Sequence, residues 1–333
     1  MAAIADVANA TRDTVGRYFS LVSMLPSIVL TTYGFLLVSS GAWRHEPHIG
    51  RAFHALISLS LGEGIGLAIL AIVMAAVLHP LQLSMVQLFE GYWGPGPVAV
   101  GARGLGVALF RIRYMRLQKR HVEALVALEQ EHNPASDRPG RRLALLCQRD
   151  EAARLLAELP VADEIMPTRL GNVLRFYERA VGAPYGLDAV RVMPYISRVA
   201  PPNDMAYVND HRSNLDLAIR MSVTSFLAAA LWVCFFWWDG ILLLVALVPC
   251  AIGYLCYRGA VVAAAEYGRA LAAVIAVNRF ALYERLHLEQ PQTAAAERRA
   301  NKNLNLVLAH RYASVTYVHG PDDLTGPPQG EPL

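Results

Sequence analysis

Ser20, Ser23, Ser27, Thr31 and Gly34 fall at i, i+3, i+7, i+11 and i+14 of one long apolar run, so on a helix they share a single face. Hydroxyls turned towards lipid would waste apolar surface, and this face is expected to look onto protein or water. Two readings stay open for it, hydrogen-bonded helix packing or the lining of a pore or water-filled cavity. Pro26 lies within the stripe, where it removes a backbone hydrogen bond and can kink the helix. Glu63 is the one ionisable residue well inside the next apolar run. A carboxylate there must be protonated, paired or wet, because burying its charge alone is costly. Ser20, Ser23, Ser27, Thr31 and Glu63 are therefore the candidate lining residues of a pore or cavity. Ser58, Gly62 and Gly66 form a small-xxx-small row beside Glu63 and are expected to permit close helix approach.

Other constellations are weaker. His45, Glu46, His48 and His54 cluster between the first two apolar runs, but their spacing is neither HExxH nor helical, and a solvated loop is the reading adopted. The four cysteines, Cys147, Cys234, Cys250 and Cys256, have no CxxC spacing and mostly lie in apolar runs, so no disulfide framework or zinc site is expected. GPGPVAVGARG is not GxGxxG and follows no strand, which argues against a nucleotide loop. No catalytic triad order, GxSxG, P-loop or paired-carboxylate spacing is present, and no cofactor is expected. Arg169, Asn172 and Arg175 are the residues an enzyme working at a membrane surface would offer, although capping and ion pairing explain each of them as well.

The elements that must position these residues are membrane helices. The chain has 333 residues, of which 55% are hydrophobic and only 17% charged, against about 25% charged in soluble domains. A span needs about 20 apolar residues. Tyr18–Ser40 and Ala55–Leu78 each supply one, and Arg12 and Arg17 before the first do not make it a signal peptide, since its apolar stretch is too long. Met221–Tyr257 is too long for a single span and carries the turn pair Asp239-Gly240 near its middle, so a tight helical hairpin is expected. Trp93, Trp237 and Trp238 suit interface anchors. The resulting fold class is an all-α integral membrane protein of four spans arranged as two hairpins.

Eighteen Lys and Arg lie between the second and third spans and eight follow the fourth, whereas the loop before the second has only Arg44 and Arg51. The positive-inside rule then puts both termini and the central insert in the cytoplasm, as a multi-pass protein of a bacterial inner membrane. Five segments follow: 1–93, a transmembrane hairpin with an interfacial helix at 80–93; 94–220, a cytoplasmic helical insert; 221–257, the second hairpin; 258–319, a cytoplasmic stalk and helical tail; and 320–333, a disordered end. Within the insert, helices are expected over Leu105–Glu131, Arg141–Leu159, from Pro167-Thr168 to Gly182, and from Asp204 to Arg220. A further helix is expected near Thr293–His310. Val190–Val199 and Ser314–Val318 read as short strands or irregular pieces. Ala260, Ala264, Gly268, Ala272 and Ala276 recur every four residues along the stalk, with Ala264 and Gly268 the central packing positions.

The stretch PTRLGNVLRFYERAVGAPYGLDAVRVMPYI, with HPLQLSMVQLFEGYW after the second span, resembles a group of uncharacterised actinobacterial multi-pass membrane proteins. That resemblance implies architecture and no chemistry. The topology is similar to bestrophin-type anion channels by analogy only. The leading expectation is an oligomeric, non-enzymatic protein enclosing a pore or cavity, of which an ion channel is one form, its partners being the lipid bilayer and further copies of itself. The alternative is a membrane-anchored scaffold or sensor whose basic insert binds a cytoplasmic protein. An enzyme acting on a lipid at the inner interface is third. A net charge of +3 gives no reason to expect nucleic acid.

Overall fold

The computed structural model describes residues 24–41, 48–130 and 139–318. Helices dominate all three stretches, and the described residues contain no strand beyond an isolated bridge between Leu288 and Tyr317. Three helices are long and apolar enough to cross a membrane, namely Leu61–Leu78, Pro202–Phe236 and Gly240–Arg285, and a shorter apolar helix covers Met24–Ser39. In chain order the helices are α1 (Met24–Ser39), α2 (Ile49–Ile57), α3 (Leu61–Leu78), α4 (Gln82–Glu90), α5 (Pro97–Gln130), α6 (Pro139–Ala157), α7 (Arg169–Ala180), α8 (Ala189–Val199), α9 (Pro202–Phe236), α10 (Gly240–Leu243), α11 (Leu247–Arg285) and α12 (Ala294–Leu308). They divide into two compact units, one made of the residues up to Gly101 with Ser213–Ala263, the other of Ala102–Arg212 with the residues from Ala264 onward.

In the first unit, α1 packs its Leu37 against Phe236 of α9, with Tyr33, Trp232, Phe235 and Leu242 around them. After Phe236 the chain turns, and the Asp239 carboxylate caps α10 by accepting from the amides of Ile241 and Leu242 at 3.1 and 3.2 Å. The Trp232 indole donates to the Leu242 carbonyl at 2.7 Å, and the Ser222 hydroxyl donates to the Gly253 carbonyl at 2.8 Å. As numbers fall along α9 they rise along its partner, so the two run antiparallel. Gly253 lets the two helices approach closely, since a Cβ there would meet the Phe226 ring at 3.1 Å. At the other end of the unit, α4 joins the same pair: Arg220 bonds the Gln82 side chain, and the Phe89 and Tyr257 rings lie 5.4 Å apart.

The second unit has its own core. Leu187, Ala189, Val192 and Ile196 of the α8 region meet Val208 of α9, Ala270, Val274, Ile275 and Leu282 of α11, and Leu304 of α12. Residues 190–199 are therefore helical, not extended. Asp188 caps α8 through the Arg191 amide, and Ala189, Val192 and Ile196 recur at i, i+3 and i+7 on its buried face. Two other expectations also shift. The run after Gly96 is the start of α5, because Pro97 suits a first helical turn that needs no amide donor. The second apolar run is broken at Ser58–Ser60, so α3 starts at Leu61 and not at Ala55. Residues 131–138, between the helices expected over Leu105–Glu131 and Arg141–Leu159, lie outside the described residues, as does the end expected at 320–333.

Candidate functional site

Of the hydroxyl stripe, Ser20 and Ser23 lie outside the described residues. Ser27 and Thr31 are buried in α1, while an added Cβ at Gly34 would meet nothing. Between α1 and α3 is a lateral groove of about 370 Å³, walled by Met24, Ile28, Thr31 and Thr32 on one side and by Gly64, Leu67, Ala68, Ala71 and Ile72 on the other. Thr31 is 6% exposed, and its Oγ1 has no hydrogen-bond partner among the described residues. A threonine hydroxyl in a helix normally returns to a carbonyl of the preceding turn, so a buried one without a partner is uncommon.

Glu63 is placed differently from the sequence reading. It is the third residue of α3 and not a mid-span group. Its carboxylate accepts from the Ser60 amide and hydroxyl, both at 2.8 Å, while the Glu63 amide donates to Ser60 Oγ at 3.3 Å. This reciprocal capping box satisfies the amides that the start of any helix leaves open, and the exposed carboxylate suits the positive end of the helix dipole. Ser58 also leaves the expected row, since it ends α2 and its hydroxyl returns to the His54 carbonyl at 2.7 Å. Gly62 and Gly66 stand on α3 with open space where a Cβ would go. His45 and Glu46 lie outside the described residues, and the described His, Cys, Asp and Glu form no group able to hold a metal ion.

Among the anchors, the Trp93 indole donates to the Leu88 carbonyl at 2.7 Å, and Trp237 and Trp238 are exposed. The stalk positions are closely packed. Ala264 is fully buried, and a Cβ on Gly268 would fall 2.1 Å from the Tyr177 ring, so α11 accepts α7 only with glycine there.

Two of the residues proposed for an enzyme, Asn172 and Arg175, are engaged in contacts within the second unit, while Arg169 stands at the first position of α7. Asn172 is fully buried; its Oδ1 accepts from the Met166 amide at 2.9 Å, and its Nδ2 donates to the carbonyls of Met166 and Thr168 at 2.9 and 2.7 Å. With the Thr168 hydroxyl accepting from the Gly171 amide, it fastens the start of α7. Arg175 reaches Glu164 and Glu178, and Arg179 also reaches Glu164.

Sequence reading missed a larger polar cluster on α11 and α12. Arg279 lies with its guanidinium carbon 4.3 Å from the ring centroids of both Tyr185 and Phe280, and donates to Glu297 at 2.7 Å. The Tyr283 hydroxyl donates to Asn301 Oδ1 at 2.6 Å. From α12, Arg298, Asn301 and Asn305 donate to the successive carbonyls of Pro184, Tyr185 and Gly186, and Asn305 also accepts from the Asp188 amide. One helix face thus reads the backbone of the PYGLD turn. The signal for it was the Asn and Arg recurrence at i, i+3 and i+7 in RRANKNLN, which is legible only once the partner carbonyls are known.

No protein-family model matches the chain, and comparison with curated proteins and with solved structures gave no match.

Proposed function

We propose that this chain is a homo-oligomeric, non-enzymatic protein of the bacterial cytoplasmic membrane, with four spans in two hairpins around a pore or cavity. The Lys and Arg distribution supports a cytoplasmic second unit and cytoplasmic termini. Two coincidences of level support four alternating spans. The ends of α1 and α9 meet the start of α10 around Leu37, Phe236 and Leu242, and α4 meets Arg220 and Tyr257, where the third span begins and the fourth ends. Conduction or cavity binding, on this reading, belongs to the hydroxyl face of α1, and the second unit is the helical cytoplasmic body.

The observation that carries the reading is the groove itself, an open-sided space of about 370 Å³ between α1 and α3 whose wall holds a buried Thr31 hydroxyl with no partner among the described residues. An apolar protein that served only as a tether would gain packing by filling that space and by replacing the hydroxyl. Single-particle imaging of the full chain in nanodiscs, followed by ion-flux measurement in vesicles, tests it. The expected result is a closed ring of copies whose flux changes with Thr31→Leu. A monomer, or flux indistinguishable from protein-free vesicles for wild type and variant alike, removes the reading.

The scaffold alternative rests on one observation, that the second unit has a hydrophobic core of its own independent of the apolar groove. It calls for capture of a cytoplasmic protein by the full chain that survives Thr31→Leu.

A further inference from the structure

We infer that one face of α5, from Leu105 to Arg120, is a docking surface for an anionic membrane leaflet, recognising lipids whose headgroups carry a net negative charge. The inference rests on the membrane placement in the proposed function and not on its pore, so neither subunit count nor ion flux decides it.

The sequence sets up the electrostatics. Between Glu90 and Glu123 the chain holds six Lys and Arg and no Asp or Glu. Four of these cations, Arg113, Arg116, Lys119 and Arg120, stand on α5 at i, i+3, i+6 and i+7, and all four are exposed. Among the described residues, the three arginines enter no ion pair. Lys119 has only Glu123, 3.7 Å away with both side chains largely in solvent, and such a pair contributes little. The positive charge of this face is therefore left nearly uncompensated.

The same face is apolar at its other end. Leu105, Leu109 and Ile112 are 64%, 58% and 41% exposed. Counted from Leu105, these three and the four cations recur at i, i+4, i+7, i+8, i+11, i+14 and i+15, which a period of about 3.6 residues gathers onto one side of a helix. A different side of α5 holds it to the second unit. There Leu117 and Ala124 are buried, a Cβ on Gly106 would lie 2.7 Å from the Pro167 carbonyl oxygen, and His121 Nδ1 lies 3.3 Å from the Arg149 carbonyl oxygen.

This order of side chains selects the occupant. A free phosphate or a nucleic acid would engage the cations but leave Leu105, Leu109 and Ile112 in water, and the face has no aromatic ring on which bases could stack. An anionic leaflet uses both halves. Aliphatic side chains enter the acyl boundary, while the long Lys and Arg side chains reach back to the phosphates. Only residues 79–96 separate α5 from α3, one of the helices apolar enough to cross a membrane, so on the spanning reading the face is tethered to a bilayer. Each cation near an anionic surface multiplies binding by about fivefold, and four together by roughly several hundredfold.

The test uses the full chain in nanodiscs of phosphatidylcholine, with or without phosphatidylglycerol, all doped with a nitroxide-bearing lipid. Ile112→Cys, in a background with the four native cysteines replaced by alanine, carries an environment-sensitive fluorophore. The expected result is a blue-shifted label whose quenching by the nitroxide is at least about fivefold stronger with phosphatidylglycerol, the difference shrinking in high salt. Replacing Arg113, Arg116, Lys119 and Arg120 together with glutamine should abolish the difference. The comparison of discs needs none of those four substitutions, so it decides the matter even where the quadruple variant fails to fold. A label that stays in water in both discs overturns the inference. Equal quenching in both also overturns it, because the contact is then apolar and blind to charge. A single-stranded oligonucleotide that shields the label in phosphatidylcholine discs, with no response to phosphatidylglycerol, gives the face to nucleic acid and overturns it too. A monomer without flux whose label still responds to phosphatidylglycerol removes the oligomeric pore and upholds the docking surface.

Discussion

Arg279→Ala withdraws the cation from a site where 19% of the arginine side chain and 8% of the Glu297 side chain are exposed. The Glu297 carboxylate then keeps its buried position without the donor now 2.7 Å away. Removing one partner of a buried ion pair costs about 3–5 kcal/mol, because the remaining charge has lost both its water and its counterion. The guanidinium also leaves its place over the Tyr185 and Phe280 rings, at about 0.5–1 kcal/mol per exposed contact of this kind. The cluster joins α11, α12 and the PYGLD turn, so the loss should concentrate in the second unit. Tryptophan fluorescence is the wrong probe: Trp93, Trp232, Trp237 and Trp238, the four tryptophans among the described residues, belong to the first unit. Hydrogen exchange of α12 and of residues 183–188 in the full chain is the right one. At about 1.4 kcal/mol per tenfold, the two losses together should accelerate exchange there by roughly three to five orders of magnitude in Arg279→Ala. The double variant Arg279→Ala, Glu297→Ala should recover most of that protection, since no charge is then stranded. If the double variant is as unprotected as the sum of the two single ones, the side chains do not act as a pair and the reasoning fails.

Asn172→Ala leaves the Met166 amide without its acceptor and two carbonyls short of a donor, so the start of α7 should lose about 1–3 kcal/mol, read as faster exchange across residues 161–175. Unchanged exchange there would mean that water takes over the role. Asp239→Ala should lower the thermal midpoint followed by fluorescence of the flanking tryptophans, at a cost of about 0.5–2 kcal/mol for a lost helix cap, whereas Asp239→Asn should be nearly silent. An asparagine variant as damaged as the alanine one would show that the charge of Asp239 matters, not its capping oxygen.

Legibility followed the range over which each interaction acts. Composition and long apolar runs were readable because lipid as a solvent demands about 20 consecutive apolar residues wherever the chain goes. The cap at Thr168, the end of α7 before Gly182 and the Thr293 cap of α12 were readable for a similar reason, since capping needs only neighbours within three residues. The break at Ser58–Ser60 misled the reading, although its signal was present: Ser-x-x-Glu at 60–63 is a capping box, but an unbroken apolar run drew the start of the helix too early. Residues 190–199 misled it because their valines favour strands in isolation, and burial against α11 and α12 outweighs that preference.

By itself the sequence determined that the described chain is helical, that several of its helices are apolar enough for a membrane, and that the cationic side chains gather between and after those helices. Those properties are sums over neighbouring residues, and no tertiary contact is needed to state them. Glu63 closes a helix start and Asn172 fastens another through partners at most six residues away, so both were encoded locally although the reading did not use the signal. Only the tertiary structure revealed the Arg279 cluster and gave the hydroxyl of Thr31 a groove and no partner among the described residues. Both depend on which groups from distant parts of the chain come within hydrogen-bonding or van der Waals distance, and spacing along one helix carries no record of that.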